Sequence, residues 1–462
     1  MKKHSIISLE TLLAWMICLP LLNDFPAFFY PRGKTFFDLL PDWIKNLAGS
    51  PTNALVNNPI ALCLVSLGCG VLVMLTVLDL ANSQSRLVHL LRGAGIGFLI
   101  VLLVIIPTFW EMYNRHLTSP HLHAHDGGVL QTEEAMKMLL SGKNPYTESY
   151  LETPMFGYAR RNPQDPPLHH LPYLPWVFTG SVPFFVLVRA LTGWFDQRVV
   201  YLLYYLAALL ALPLLVDDPR RRRLAVLCFG LNPFLVPFIV QGRNDSIPLA
   251  LMVVVMVLLE RDRLKCAGFV LGVAMASKQF IWLLAPFLLT ALAGGWRWSA
   301  WRARRRQVLE VLIPCVLGAA VLIGPFLMWD FASFKDDVFD FNSGKSEISY
   351  ALGGTPGYGF ANFALYHGWV QSRNDYFPFW PFMLAAMVPL SVVVLLRLER
   401  APSFDAGLVG GALVLLGSAF FARLLHDNHL GFILGLLVVA HFGDRLHKPN
   451  GERLSVGDAT SD

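Results

Sequence analysis

A dozen apolar runs follow one another along this chain, and few folds can accommodate them. A helix that crosses a bilayer needs about 20 mostly apolar residues. Runs of that kind lie at 5–23, 56–81, 93–110, 199–216, 223–240, 246–260, 280–296, 308–329, 378–397, 405–422 and 428–443. A shorter one, 265–279, ends in Ser277-Lys278-Gln279. With 55% hydrophobic and 15% charged residues in 462, the composition fits a membrane protein rather than a soluble domain. The expected fold is an all-α polytopic membrane protein with about 12 transmembrane helices and surface helices in a long loop. Glu10 interrupts the first run and no small-residue cleavage site follows, so the first span is expected to be retained. The six cysteines lie in or beside apolar runs and form neither a disulfide framework nor a zinc knuckle.

The segment 172–192 is also apolar, and it decides the topology. If it spans, Arg220 to Arg223 face the same side as the polar loop before it. If it does not, those arginines join Lys2, Lys3, Arg86, Arg92, Arg261, Arg263, Lys265, Arg297, Arg302 to Arg306, Arg445, Lys448 and Arg453 on one side. Lysine and arginine collect on the cytoplasmic side of membrane proteins, so the second arrangement is preferred. It places both termini in the cytoplasm, with twelve spans. Pro172, Pro175 and Pro183 also suit a broken segment.

Polar residues then gather on the outer side. The longest polar interval, 111–171, holds His125-Asp126-Gly127-Gly128, then Gln131, Glu133, Glu134 and Gly142-Lys143-Asn144-Pro145-Tyr146. Apolar and polar positions recur at helical spacing from Val129 to Leu140, and Gly142 stands where a helix C-terminal glycine belongs. A short amphipathic surface helix is predicted there, with Asp126 at its start. Asp126 is a helix cap on one reading and a general base on another. Arg243 and Lys278 lie at outer helix ends, either snorkelling to headgroups or serving a phosphate leaving group. Asn244 and Asp245 accompany Arg243. His426, Asp427 and His429 lie in a turn between two spans, as a solvated turn or as sugar and phosphate ligands. His121, His123 and His125 alternate, as metal ligands on an extended strand would, but a monophosphate leaving group needs no ion. Tyr146 and Tyr173 belong to an interfacial belt or a sugar-stacking set. The run Gly353 to Gly359 reads as a mobile gate in an outer loop.

These residues resemble the GT-C superfamily of membrane glycosyltransferases, and most nearly glycosyltransferase family 87, whose members use polyprenyl-phosphate-linked sugars. Asp126 with Glu134-Ala135, Leu139-Leu140, Gly142 and Asn144-Pro145-Tyr146 is similar to that superfamily's acidic first loop and surface helix. Pro166-Pro167-Leu168, Leu191 to Gly193 and Arg198 resemble its second surface helix. Gly268 to Gly272 with Ser277-Lys278 resembles its Gly-rich helix ending near the lipid phosphate. The resemblance implies Asp126 as catalytic base and Lys278, with Arg243, at the donor phosphate. Asn244 and Asp245 match a polar turn at the equivalent helix end, and the candidate substrate contacts as a whole are His125, Gln131, Glu134, Tyr146, Tyr173, Asn244, Asp245, Gln279, His426, Asp427 and His429. No cofactor or metal is implied. In the family the acidic loop follows the first span, whereas here two further spans precede the one before Asp126, so 1–92 reads as an N-terminal extension. Residues 93–330 then form the core with outer loop 111–198, 331–443 a gating loop and last spans, and 444–462 a cytoplasmic tail.

The expected activity is inverting transfer of one sugar, mannose-type or pentose, from a polyprenyl phosphate to a lipid or glycan acceptor. The location is the outer face of a plasma (inner) membrane. Partners are the donor, the acceptor and membrane lipids, with no nucleic acid. The alternative is a transporter or flippase of a lipid-linked sugar, which should show paired broken helices at the midplane.

Overall fold

The computed structural model describes residues 7–28, 59–81, 85–119, 121–353 and 357–447. Lys2, Lys3, the segment 29–58, the centre of the 353–359 run and the tail beyond His447 lie outside the described residues. The architecture is all-helical, without strands among the described residues. Five helices are long and apolar enough to cross a membrane: Ala61–Leu80, Arg86–Leu117, Arg198–Leu215, Arg305–Trp329 and Trp380–Arg400.

In chain order the principal helices are α1 (Leu9–Phe28), α2 (Pro59–Leu80) and α3 (Arg86–Leu117). After the loop come α4 (Thr132–Leu140), α5 (Val182–Thr192) and α6 (Arg198–Ala211). The centre holds α7 (Pro219–Gly230), α8 (Val236–Gln241), α9 (Ser246–Glu260), α10 (Leu264–Met275), α11 (Phe280–Ala293) and α12 (Arg305–Trp329). Last are α13 (Trp380–Arg400), α14 (Phe404–Phe420) and α15 (Asp427–Phe442). Helices thus occupy each apolar run, with one correction. The run 223–240 is two helices, because Leu231-Asn232-Pro233 breaks it. Pro233 has no N–H for a helical bond. The buried Asn232 takes over, accepting from Phe234 N at 3.1 Å and donating to Gly431 O at 2.8 Å.

One apolar core links most of the bundle, and Ala14, Cys18, Leu21 and Leu22 of α1 are part of it. Glu10, buried on α1, receives both Nε and Nη2 of Arg223 on α7, at 3.0 and 3.1 Å. The N-terminal pair is therefore joined to the centre by packing and by charge. Gly268 and Gly272, one turn apart on α10, lie against the α12 backbone. A Cβ at either would overlap Val311 O or Cys315 O. Such small-residue contact lets apolar helices approach without a hydrophobic drive between them.

The segment between the polar loop and α6 leaves and returns at one level. At its start Tyr146 Oη donates to Tyr173 O at 2.7 Å, and the Tyr173 ring lies against Gly127. At its end Gln197 N donates to Glu133 Oε1 at 2.9 Å. Gly127 and Glu133 are only about 9 Å apart along a helix axis. Between them the chain forms a short turn, Trp176–Thr179, then α5, with Ser181 at the break.

A closed ion network fixes this corner. Arg115 makes two bonds of 2.8 Å to Glu133 and one of 2.9 Å to Asp196. Asp196 also receives Arg198 Nε and Nη2, at 2.9 and 2.7 Å. Arg198 Nη1 reaches Val240 O, at the end of α8, at 3.2 Å. All four side chains are buried, and two positive charges meet two negative ones. Burial disfavours ionised Asp196, but the two arginines reverse that and hold its carboxyl well below the usual range.

Candidate active site

His125 is extended, at φ −74° and ψ 141°, and the chain then enters a wide turn, Asp126–Gln131, leading into α4. The capping position belongs to His125, not to Asp126. Its Nδ1 lies 3.2 Å from Gly128 N and 2.9 Å from Asp126 Oδ1. One ring nitrogen serves one of these at a time: unprotonated it accepts from the backbone, protonated it donates to the carboxylate. The two glycines are there because of close approach. A Cβ at Gly127 would strike Tyr173 Oη, and one at Gly128 would strike Gly242 O. His125 N donates to Gln241 O at 3.0 Å, and Tyr201 Oη donates to Gly128 O. Asp126 is thereby set beside the end of α8.

That helix ends at Gly242, whose φ of 92° is the left-handed conformation glycine takes without strain. Arg243 N folds back to Phe238 O at 2.7 Å, and the guanidinium lies 4.5 Å over the Phe238 ring. Arg243 Nη1 donates to Asn428 Oδ1 at 3.0 Å, while its buried Nε has no partner among the described residues. Asn428 Nδ2 donates to Asp245 Oδ2 at 2.9 Å. Asp245 in turn pairs with Lys278, which lies 3.4 Å from Asn244 Oδ1. Burial opposes the charge on Asp245, yet Lys278 and Asn428 hold its carboxyl below its ordinary value. A chain of alternating groups thus runs from Arg243 to Lys278.

Helix starts face the same place. The wide turn at Asp126, α9 at Ser246, α11 at Phe280 and α15 at Asp427 all begin beside this cluster, and helix N-termini favour negative charge. Asp126 follows that rule. Burial would raise its pKa, but His125, Gly127 N and Arg243 together bring it down to about 2, with 18% of the side chain exposed. It is an ionised, reachable carboxylate.

The structure brings together Asp126, His125, Tyr173, Arg243, Asn244, Asp245, Lys278, His426 and His429. His426 and His429 form the reciprocal cap of α15, with His426 N donating to His429 Nδ1 at 3.3 Å. Asp427 is in the first turn of the same helix. Four other residues lie apart. Gln131 is buried, its amide donating to Pro167 O at 2.8 Å and His170 O at 2.6 Å. Tyr146 is packed against Phe178, Phe326 and Phe334. Glu134 faces Lys137 at 2.6 Å, and Gln279 reaches Val338 O at 3.5 Å. The contacts of these four are with other groups of the protein.

The three alternating histidines do not form a strand. Residues 121–124 make a turn and bends, and His123 has φ 56°. His121 contacts Ser119 Oγ at 2.9 Å, and His123 contacts Glu111 Oε2 at 3.1 Å, so the three rings diverge to separate partners. Among the described residues, the group of three ligand-type side chains close enough for an ion is His170, Asp336 and Asp337. There His170 Nδ1 lies 2.9 Å from Asp337 Oδ1, and Leu171 N donates to the other oxygen at 2.9 Å, so the buried Asp337 is already satisfied.

Sequence reasoning passed over Tyr158, Asp165 and Tyr350, and took Asn428 only as part of the 426–429 turn. The first three lie within electrostatic reach of Asp126. Burial, and then the charge of Asp126, push the Tyr350 hydroxyl up to about 12 and raise Asp165 as well. Tyr350 also meets His426 edge-on at 6.4 Å between ring centroids. No protein-family model, curated protein or solved structure matches the chain.

Proposed function

We propose that this protein is an inverting glycosyltransferase that moves one sugar, mannose-type or pentose, from a polyprenyl phosphate to a lipid or glycan acceptor. One observation carries the reading. An ionised, reachable carboxylate, Asp126, stands beside Arg243, whose Nε is unsatisfied, and the Asn428–Asp245–Lys278 chain continues from it.

Asp126 takes the proton from an acceptor hydroxyl as that oxygen bonds to the anomeric carbon of the sugar. The bond from that carbon to the phosphate oxygen breaks, and its electron pair leaves with the polyprenyl phosphate. The configuration at carbon inverts, because attack and departure occur on opposite faces. Arg243 is the better-placed group for the departing charge, having an uncommitted donor. Lys278 is held by Asp245, so it contributes field and positions the α10–α11 turn until a phosphate competes for it. No ion is required, since a phosphate monoester leaves as a stable anion.

The same reading puts the cluster at the outer face of a plasma membrane, with twelve spans and both termini in the cytoplasm. Support comes from the segregation of lysine and arginine, and from the return of 172–197 to its starting level. A transporter of lipid-linked sugar draws on the break between α7 and α8, a discontinuity such proteins use. That break delivers Gly242 and Arg243 to the cluster, a use that transfer chemistry also has for it.

The deciding experiment is sugar transfer by the purified full chain in nanodiscs. It is given polyprenyl-phosphate mannose or pentose and a membrane lipid extract. Transfer by the wild type but not by Asp126→Asn, with both proteins cooperatively folded, is the expected result. Transfer that survives in Asp126→Asn removes the base assignment. Donor bound but never transferred favours the transporter.

A further inference from the structure

On the far side of the ion network from Asp126 lies a cavity of about 260 Å³, lined by polar and apolar side chains. Its walls are Arg115 and Glu133 of the network, His116 at the end of α3, Lys137 on α4, and Arg189 with Trp194 at the end of α5. The proposed transfer chemistry makes no use of it.

Three features define what would enter. The first is charge. Lys137 and Arg189 line the cavity beside Arg115 and Glu133, whose charges are closed within the network, Arg115 by Glu133 and Asp196 and Glu133 by Arg115 and Gln197 N. Lys137 shares Glu134. Arg189 pairs with no carboxylate among the described residues and lies 5.6 Å over the Phe185 ring. The second is an aromatic floor. His116 stacks on Trp194 with ring centroids 4.5 Å apart and planes 22° apart. A tryptophan beside basic side chains is typical of headgroup depth. The third is apolar. Phe109, Tyr113 and Leu117 are exposed at four-residue spacing on α3, and Val186, Leu187 and Leu191 are exposed on α5. Both stripes run to the rim where His116 and Arg189 stand.

We infer that this cavity binds the headgroup of an anionic phospholipid, whose acyl chains lie along the α3 and α5 stripes. The phosphate meets Arg189 and Lys137, and the glycerol end rests against the Trp194 ring. The inference rests on the chain's being a membrane protein and is independent of any sugar transfer.

Native mass spectrometry of the delipidated full chain tests it. Phosphatidylglycerol, phosphatidylcholine and inorganic phosphate would be titrated separately. Wild type should retain phosphatidylglycerol about 25-fold more strongly than phosphatidylcholine, since each of the two basic groups near the headgroup adds about a factor of five for an anionic lipid. Inorganic phosphate should neither bind nor compete at matched concentration. The double variant Lys137→Ala with Arg189→Ala should lose most of that preference, and Asp126→Asn should keep it. Both substituted side chains are exposed, and Arg189→Gln carries the test alone if the double variant melts early. Equal retention of the two lipids, a preference untouched by Arg189→Gln, or full competition by free phosphate would overturn the assignment.

Discussion

Two buried polar clusters lie close together in this protein, and they differ in what they leave unfinished. In the Arg115–Glu133–Asp196–Arg198 network every charge faces an opposite charge, and no side chain is more than 8% exposed. In the Asp126–Arg243–Asp245–Lys278 cluster the carboxylate is partly exposed and a guanidinium nitrogen is unmatched. A closed network gains from staying shut, and breaking it strands charge. An open one keeps donors and an acceptor for something else. The two are tied together, since Arg198 holds Val240 O and His125 N holds Gln241 O, one residue further on.

The contrast breaks most sharply if Asp126→Asn retains sugar transfer. The expected loss is on the order of 10³-fold, within the range for a general base, with the variant still folded and its thermal midpoint lowered less than by breaking the closed network. Glu133→Ala should do the opposite. It should cost about 3–5 kcal/mol of stability by leaving Arg115 short of its partner, read as a lowered thermal midpoint. If the two substitutions behave alike, the division between open and closed clusters is wrong. Arg243→Ala should slow transfer by about 10- to 100-fold, the worth of a hydrogen bond to a charged group. Asn428→Ala, which frees Arg243 without removing it, should cost less.

The pH profile sharpens the comparison further. Asp126 sits at about 2, below the ordinary 3.8. It therefore contributes stability above its unfolded pKa, and that contribution disappears as pH falls through about 2. Transfer should show no acidic limb from this group between pH 4 and 7. An acidic limb in that range would show that a group other than Asp126 controls the rate. Smallest is Tyr350→Phe, expected to change the acceptor KM by about threefold or less, the worth of one neutral hydrogen bond.

Much of the fold was legible because apolar runs of bilayer length stand out in sequence. The break at Asn232-Pro233 was written there too, but the hydropathy of the surrounding run hid it. Asp126, Arg243 and Lys278 were legible as charges at the ends of apolar runs. Glu133 and Glu134 show where reading stopped. They are adjacent and chemically alike, and about 100° of helical rotation sends one to Arg115 and the other to Lys137. Sequence reasoning chose Glu134 for the substrate. The pairing of Arg115 with Asp196 spans 81 residues, and Tyr350 approaches Asp126 from a distant loop. Such meetings follow from tertiary packing and leave no local pattern.

The α9 and α10 helices have 15 and 12 residues. At 1.5 Å per residue they rise only about 22 and 18 Å from the turn between them. A bilayer's hydrocarbon is about 30 Å thick. Asp245 and Lys278 crown these short helices, so in a membrane the charged cluster would lie at the bottom of a well rather than on a rim. A sugar carried on a lipid would then be lowered a few ångströms toward the reacting groups.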